Sequence, residues 1–157
     1  MDSYLTFRVA EDVFAVHVSR VMEIREYESP KPVPQKIEFV SGLIEFRDEV
    51  IPLINTGIKF SLKPVEASQN AVIVVLDLKK AEEDQTFRVG IMTDAVSDVI
   101  EIPGDKLKPI RQEYKPGYIA GTFNYEGTFV LVLDTDKVFT GDEVIEMDKI
   151  LSKAKKK

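Results

Sequence analysis

The 157-residue chain contains no cysteine. Disulfides, a thiolate nucleophile and thiolate-held iron–sulfur clusters are therefore excluded, and the composition fits a reducing compartment. There is a single histidine, His17. With no thiolate and one imidazole, a structural zinc site lacks its donors. A serine–histidine–aspartate centre would have to use His17, and no Gly-x-Ser-x-Gly elbow accompanies it. His17 is expected to be a solvated or interface strand residue. Neither G-x-x-x-x-G-K-[S/T] nor G-x-G-x-x-G occurs, so nucleotide phosphates have no cradle and no cofactor is expected. No apolar run approaches the roughly 18 residues of a membrane span. The acidic start, Met1-Asp2-Ser3-Tyr4, is unlike a signal peptide. The expectation is a cytoplasmic protein with no direct membrane insertion.

A basic excess is also missing. Lys and Arg total 21 against 27 Asp and Glu, a formal net charge of −6. Nucleic-acid binders carry basic faces that displace counterions from phosphates, so no nucleic-acid partner is expected. Lys153, Lys155, Lys156 and Lys157 read as the solvated end of a helix. Asp134 and Asp136 lack the further oxygens and distal Glu of a calcium loop. Asp134 and Asn55 read instead as N-caps of a short helix after a hairpin.

What is present is short alternation. Leu5, Phe7 and Val9 share one face; after a polar break at Glu11-Asp12, Phe14, Val16 and Val18 repeat the pattern. Period-two runs of this length predict half-buried strands joined by a hairpin. Further strands are predicted at Val21–Glu26, Gly42–Phe46, Val50–Asn55, Ala71–Leu78, Thr86–Thr93, Val96–Ile102, Tyr118–Tyr125 and Thr128–Leu133. Pro30, Pro32 and Pro34 predict an extended surface connection. Pro52 lacks a ladder donor, which predicts an edge strand or a bulge. A charged loop is expected from Lys79 to Gln85. Val144, Met147, Ile150, Leu151 and Ala154 fall at helical spacing and predict a C-terminal helix.

The chain also repeats itself. Gly42–Phe60 aligns with Gly121–Phe139 without a gap, placing Phe46 on Tyr125, Val50 on Phe129, Thr56 on Thr135 and Asp48 on Gly127. Val18–Ile24 aligns with Val96–Ile102. Both blocks keep order and spacing, which predicts two similar β-subdomains, paired small barrels that limit exposed sheet edges. Phe7, Phe14, Phe46, Tyr125 and Phe129 lie in these strands, several beside acidic residues. They read as core rather than as stacking platforms on a basic groove.

In order and spacing, these segments resemble the CheW-like chemotaxis coupling proteins. The resemblance is carried by Tyr4-Leu5-Thr6-Phe7, Val18-Ser19-Arg20-Val21, Val33-Pro34, Phe39–Asn55, Val89–Val99 and Leu131-Val132-Leu133-Asp134. It implies an all-β fold of two small five-stranded barrels, SH3-like or OB-like, around a shared hydrophobic core, with short helical turns and a C-terminal helix. Residues 1–157 would form one such domain with two intertwined subdomains, the repeat blocks being 18–60 and 96–139.

The resemblance further implies a non-enzymatic adaptor between a histidine kinase and chemoreceptors. One face would bind the regulatory domain of the kinase CheA, another the cytoplasmic tip of the receptors, recruiting the protein to membrane arrays. Arg47 matches the family's receptor-contacting arginine, with Glu45, Asp48 and Val33 around it. Val13 and Val21, near strand ends and turns of the first barrel, are the expected kinase contacts. Where the family commonly has Asn-Leu-Arg-Gly, this chain has Glu45-Phe46-Arg47-Asp48. Asp48 is thus expected at positive φ, and Glu45, on the same strand face, is expected to compete for the charge of Arg47. The alternatives are an OB-like ligand- or oligonucleotide-binding barrel, or a relative of the kinase's own regulatory domain.

Overall fold

The computed structural model of the chain describes residues 2–33, 37–79, 86–110 and 117–155. Pro34, the charged segment 80–85, Lys156 and Lys157 lie outside the described residues. The strands are β1 (Asp2–Val9), β2 (Asp12–His17), β3 (Val21–Glu26), β4 (Val40–Phe46), β5 (Glu49–Asn55), β6 (Val72–Lys79), β7 (Thr86–Thr93), β8 (Ala95–Ile102), β9 (Ile119–Tyr125) and β10 (Thr128–Leu133). A single-turn helix α1 (Thr56–Lys59) follows β5, and α2 (Gly141–Lys155) is the expected C-terminal helix. The all-β fold with two five-stranded sheets agrees with the expectation.

Barrel 1 has strand order β8-β1-β2-β10-β9 and barrel 2 has β3-β6-β7-β5-β4. In both, one parallel pair (β2 with β10, β7 with β5) joins otherwise antiparallel ladders. The hairpin β1–β2 therefore sits beside β8, β9 and β10 from the second half of the chain. The hairpin β6–β7 sits beside β3, β4 and β5 from the first. The chain crosses between barrels after β2, at a 3-10 turn over Val18–Arg20, and again after β7.

The internal repeat has a physical counterpart in barrel closure. Lys31, beyond β3, bridges Leu43 on β4 with N–H···O distances of 2.8 and 2.9 Å. Lys108, beyond β8, bridges Thr122 on β9 at 2.8 Å in both directions. The residue before each bridge is a glycine. A Cβ on Gly42 would lie 2.5 Å from the Lys31 carbonyl oxygen, and one on Gly121 2.7 Å from that of Lys108. Only glycine admits so close a backbone approach.

The main core runs through barrel 2 and the junction, with Phe7, Val9, Val16, Phe46, Leu53, Ile54 and Ile73 almost fully buried. Ala15, Ile100, Ile102, Val130 and Val132 form a smaller cluster inside barrel 1. Strand β2 is buried on both faces, Phe14 and Val16 facing the junction and Ala15 the barrel interior. Repeat-related aromatics cross at the junction. Phe39 meets Phe139 at 5.8 Å, and their counterparts Tyr118 and Phe60 meet at 4.9 Å. Lys59 lies between them, its Nζ 5.4 to 5.7 Å from the rings of Phe39, Tyr118 and Phe139. Glu143 of α2 closes this site at 3.4 Å.

Several expectations are corrected. Val18 leaves the strand for the crossover turn and is exposed. Strand β5 is interior, between β7 and β4, and the bulge is on β4, between Val40 and Gly42. Pro52 is tolerated because its partner Leu43 spends both backbone groups on Lys31, so Pro52 needs no donor toward β4. On its other side the parallel ladder begins only at Leu53. Phe129 is 62% exposed rather than core. Asn55 caps α1 as expected, accepting from Ile58 N at 3.4 Å, and it also clamps both backbone groups of Val65 at 2.9 Å. Asp134 occupies the equivalent position before a 3-10 turn but makes no side-chain cap bond.

Candidate partner-binding site

The expected receptor-contacting residues converge on one hairpin tip. Phe46 pairs with Glu49, leaving Arg47-Asp48 as a two-residue loop between β4 and β5. Loops this short match the strand twist only with positive φ at the first position. The three such hairpins agree: Ala10 has φ +55°, Arg47 +56° and Glu126 +49°. Arg47, and not Asp48, is therefore the residue held in the left-handed region, at a cost of about 1 kcal/mol. Among the described residues only the second repeat also has its second loop residue, Gly127, at positive φ.

That backbone geometry lays Arg47 over its neighbour. The Arg47 guanidinium carbon is 4.8 Å from the centroid of the Phe46 ring, which is itself 1% exposed. Arg25 of β3 approaches the same ring at 5.6 Å. Its Nε donates to Glu23 at 2.6 Å, and its Nη1 to Glu28 and to the Glu45 carbonyl, both at 2.8 Å. Burial lowers the Arg25 pKa, but its bonds to Glu23 and Glu28 outweigh this and leave it raised. The neighbouring Glu49 is taken up by Arg88 at 3.0 Å, a bond that raises the Arg88 pKa.

The charges at the tip are thus sorted. Glu45 and Asp48 are exposed, and the expected competition of Glu45 for Arg47 is absent: no ion pair joins them. Arg47 is an exposed cation without an ion pair among the described residues, held by a ring and a constrained backbone. Such an arrangement offers a carboxylate a preoriented guanidinium beside an apolar surface.

The other expected contacts are dispersed. Val33 is half-buried, two residues past the bridge that closes barrel 2. Val13 on β2 is half-buried against the barrel 1 cluster, while Val21 on β3 is half-buried against the main core. They lie on different barrels rather than together on the first. Among the described residues the most exposed large apolar side chains are instead Val99 and Phe129, each at 62%, followed by Ile145, Ile24 and Val18. Val99 and Phe129 are the repeat counterparts of Val21 and Val50, which was the available signal, but the repeat does not say which copy faces outward.

No catalytic constellation is apparent at His17. Its Nδ1 accepts from Ser19 N at 3.1 Å and lies 2.7 Å from Ser19 Oγ, so the ring caps the crossover turn. Its Nε2 is 3.4 Å from Asp2 Oδ1. Among the described residues there is no cluster of His, Asp and Glu suited to a metal ion, and no helix is long and apolar enough to cross a membrane.

The family model described as the CheW-like domain matches residues 3–143. The chain belongs to the CheW-like family. A chemotaxis protein CheW of Rhizobium meliloti is 28% identical over 142 residues, covering 88% of each chain. One from Klebsiella aerogenes is 23% identical over 150 residues, 94% of this chain and 87% of the relative. One from Thermotoga maritima is 26% identical over 135 residues, 85% of each. The crystal structure of the scaffolding protein TtCheW from Thermoanaerobacter tengcongensis has the same fold, with a TM-score of 0.78 at 20% identity over 92% of each chain. As a member of the CheW-like family the chain is a chemotaxis coupling adaptor, and neither the OB-like nor the kinase-domain alternative is favoured.

Proposed function

We propose that the chain is a non-enzymatic CheW-like adaptor that binds the regulatory domain of the histidine kinase CheA and the cytoplasmic tip of chemoreceptors. It acts in the cytoplasm as one unit of two intertwined barrels and reaches membrane arrays through its partners. Holding both partners raises the effective concentration of kinase beside receptor. Arg47 contacts the receptor, flanked by Glu45, Asp48 and Val33; Val13 and Val21 contribute kinase contacts, one from each barrel. The observation that supports the receptor contact is the unpaired Arg47 guanidinium held over Phe46 at the β4–β5 tip. A partner helix with a carboxylate beside an apolar side chain fits it.

Calorimetry with the kinase regulatory domain and with a receptor-tip fragment from the same organism tests this. Arg47→Ala and Arg47→Glu are expected to weaken receptor binding about tenfold or more, leaving kinase binding intact. Stability should shift by under about 0.5 kcal/mol, as for an exposed turn residue. Equal loss of both partners, or unfolding, would overturn the assignment of Arg47. Binding of neither partner by the unaltered protein would overturn the adaptor reading itself.

A further inference from the structure

Barrel 2 has a seam where its first and last strands, β3 and β4, meet without a ladder. Among the described residues one backbone bridge, Lys31 to Leu43, closes it. Arg25 is the second tie. It sits on β3 and donates through Nη1 to the carbonyl of Glu45 on β4, at 2.8 Å across the seam. Glu45 immediately precedes Phe46, whose ring carries both Arg25 and Arg47.

We infer that Arg25 is a positioning residue: it staples the seam of barrel 2 at Glu45 and thereby holds the β4–β5 tip, and Arg47 on it, in the geometry that meets the partner. This deepens the receptor-contact reading and rests on it. Three features of the side chain fit the role. Its Nε and Nη2 are both taken by Glu23 and its Nη1 by Glu28 and the Glu45 carbonyl, so these donors are occupied and it offers little to an incoming carboxylate. Glu23 and Glu28 are both taken up as ion-pair partners of Arg25. A planar fork with fixed donors does this, and a lysine ammonium cannot match it.

The repeat supplies an internal contrast. The counterpart of Arg25 in the second copy is Pro103, which has no side-chain donor, so this staple is absent from the seam of barrel 1. The two hairpin tips, equivalent in the sequence repeat, are therefore braced differently. The braced one carries the ring-mounted arginine, and the other carries Glu126 and the exposed Phe129.

The test has one readout that needs no partner and one that does. Amide hydrogen exchange of the full chain should show faster exchange through residues 45–49 in Arg25→Ala and in Arg25→Lys than in the unaltered protein, with barrel 1 unchanged. Affinity for a receptor-tip fragment should fall about tenfold in Arg25→Ala. It should fall no further when Arg25→Ala is added to Arg47→Ala, because the first residue acts through the second. Unchanged exchange at the tip, full rescue by Arg25→Lys, or additive losses in the double variant would each overturn the positioning role. Arg47→Ala binding at full affinity would instead sink the receptor-contact reading, and the exchange pattern would still decide whether Arg25 braces the tip.

Discussion

Asp136, in the turn after β10 of barrel 1, accepts the Arg20 guanidinium at 2.7 Å while its other oxygen accepts the backbone N–H of Lys79 on β6 of barrel 2 at 3.1 Å. Arg20 itself lies in the crossover turn and reaches the Asp77 carbonyl at 3.4 Å. One carboxylate thus joins two segments flanking barrel 1 to a strand of barrel 2. Asp136→Ala should destabilise by about 1–2 kcal/mol, since it strands a backbone donor as well as a charge. Partial exposure of the pair keeps the value at the low end. Asp136→Asn, which retains an acceptor for Lys79, should cost about half as much. Urea denaturation of both variants checks this; equal losses would mean that the Lys79 bond contributes nothing.

Two phenylalanines should separate sharply. Phe7 is fully buried between the barrels, and Phe7→Ala should cost about 3–5 kcal/mol. Phe129 is 62% exposed, and Phe129→Ala should cost under about 1 kcal/mol. Denaturant midpoints of the two variants give the comparison. A loss for Phe129→Ala matching that for Phe7→Ala would place its ring inside the fold.

Gly42→Ala and Gly121→Ala should each destabilise by more than about 1 kcal/mol, because the added methyl meets a bridge carbonyl and the backbone has to shift. Gly42→Ala should be the worse, having the closer approach and a φ of +152° besides. Thermal denaturation ranks them, and the reverse order would show that the two closures are not built alike.

Burial raises the pKa of the Tyr118 phenol above its ordinary value of 10.0. The folded protein thus favours the neutral form. Its contribution to stability is complete below pH 10 and falls as the unfolded chain ionises and pH rises toward the folded value. Tyr118→Phe keeps the ring contact with Phe60 and removes the titration. Between pH 8 and 11 its denaturant midpoint should therefore fall less than that of the unaltered protein. An equal fall would assign the alkaline slope to other groups, Tyr4 among them, whose pKa is raised by burial and by Asp2.

Much of the fold was legible in the sequence. Val21–Glu26, Thr86–Thr93 and Thr128–Leu133 were predicted with the boundaries found, because alternating apolar residues bounded by polar turns have few other solutions. The Gly42–Gly121 correspondence was legible as well, since a backbone contact that excludes Cβ writes glycine into both copies. The candidate site was legible only as residue names: Arg47 was identified by resemblance, and Arg25 was not identified at all. Its role depends on β3 and β4 meeting across a seam, and nothing local to either strand encodes that meeting.

The sequence by itself determined the strand positions, the repeat, the terminal helix and the lack of any thiolate. These follow from residue types and from spacing along the chain. The tertiary structure alone decided which of two alternating faces was covered, as with Phe129 outside and Phe14 within. It also decided that Arg47 rather than Asp48 takes the left-handed conformation, and that each half lends its hairpin to the other half's barrel. The reason is physical: period two fixes that a strand has two faces, while covering one of them depends on partners far away in the chain.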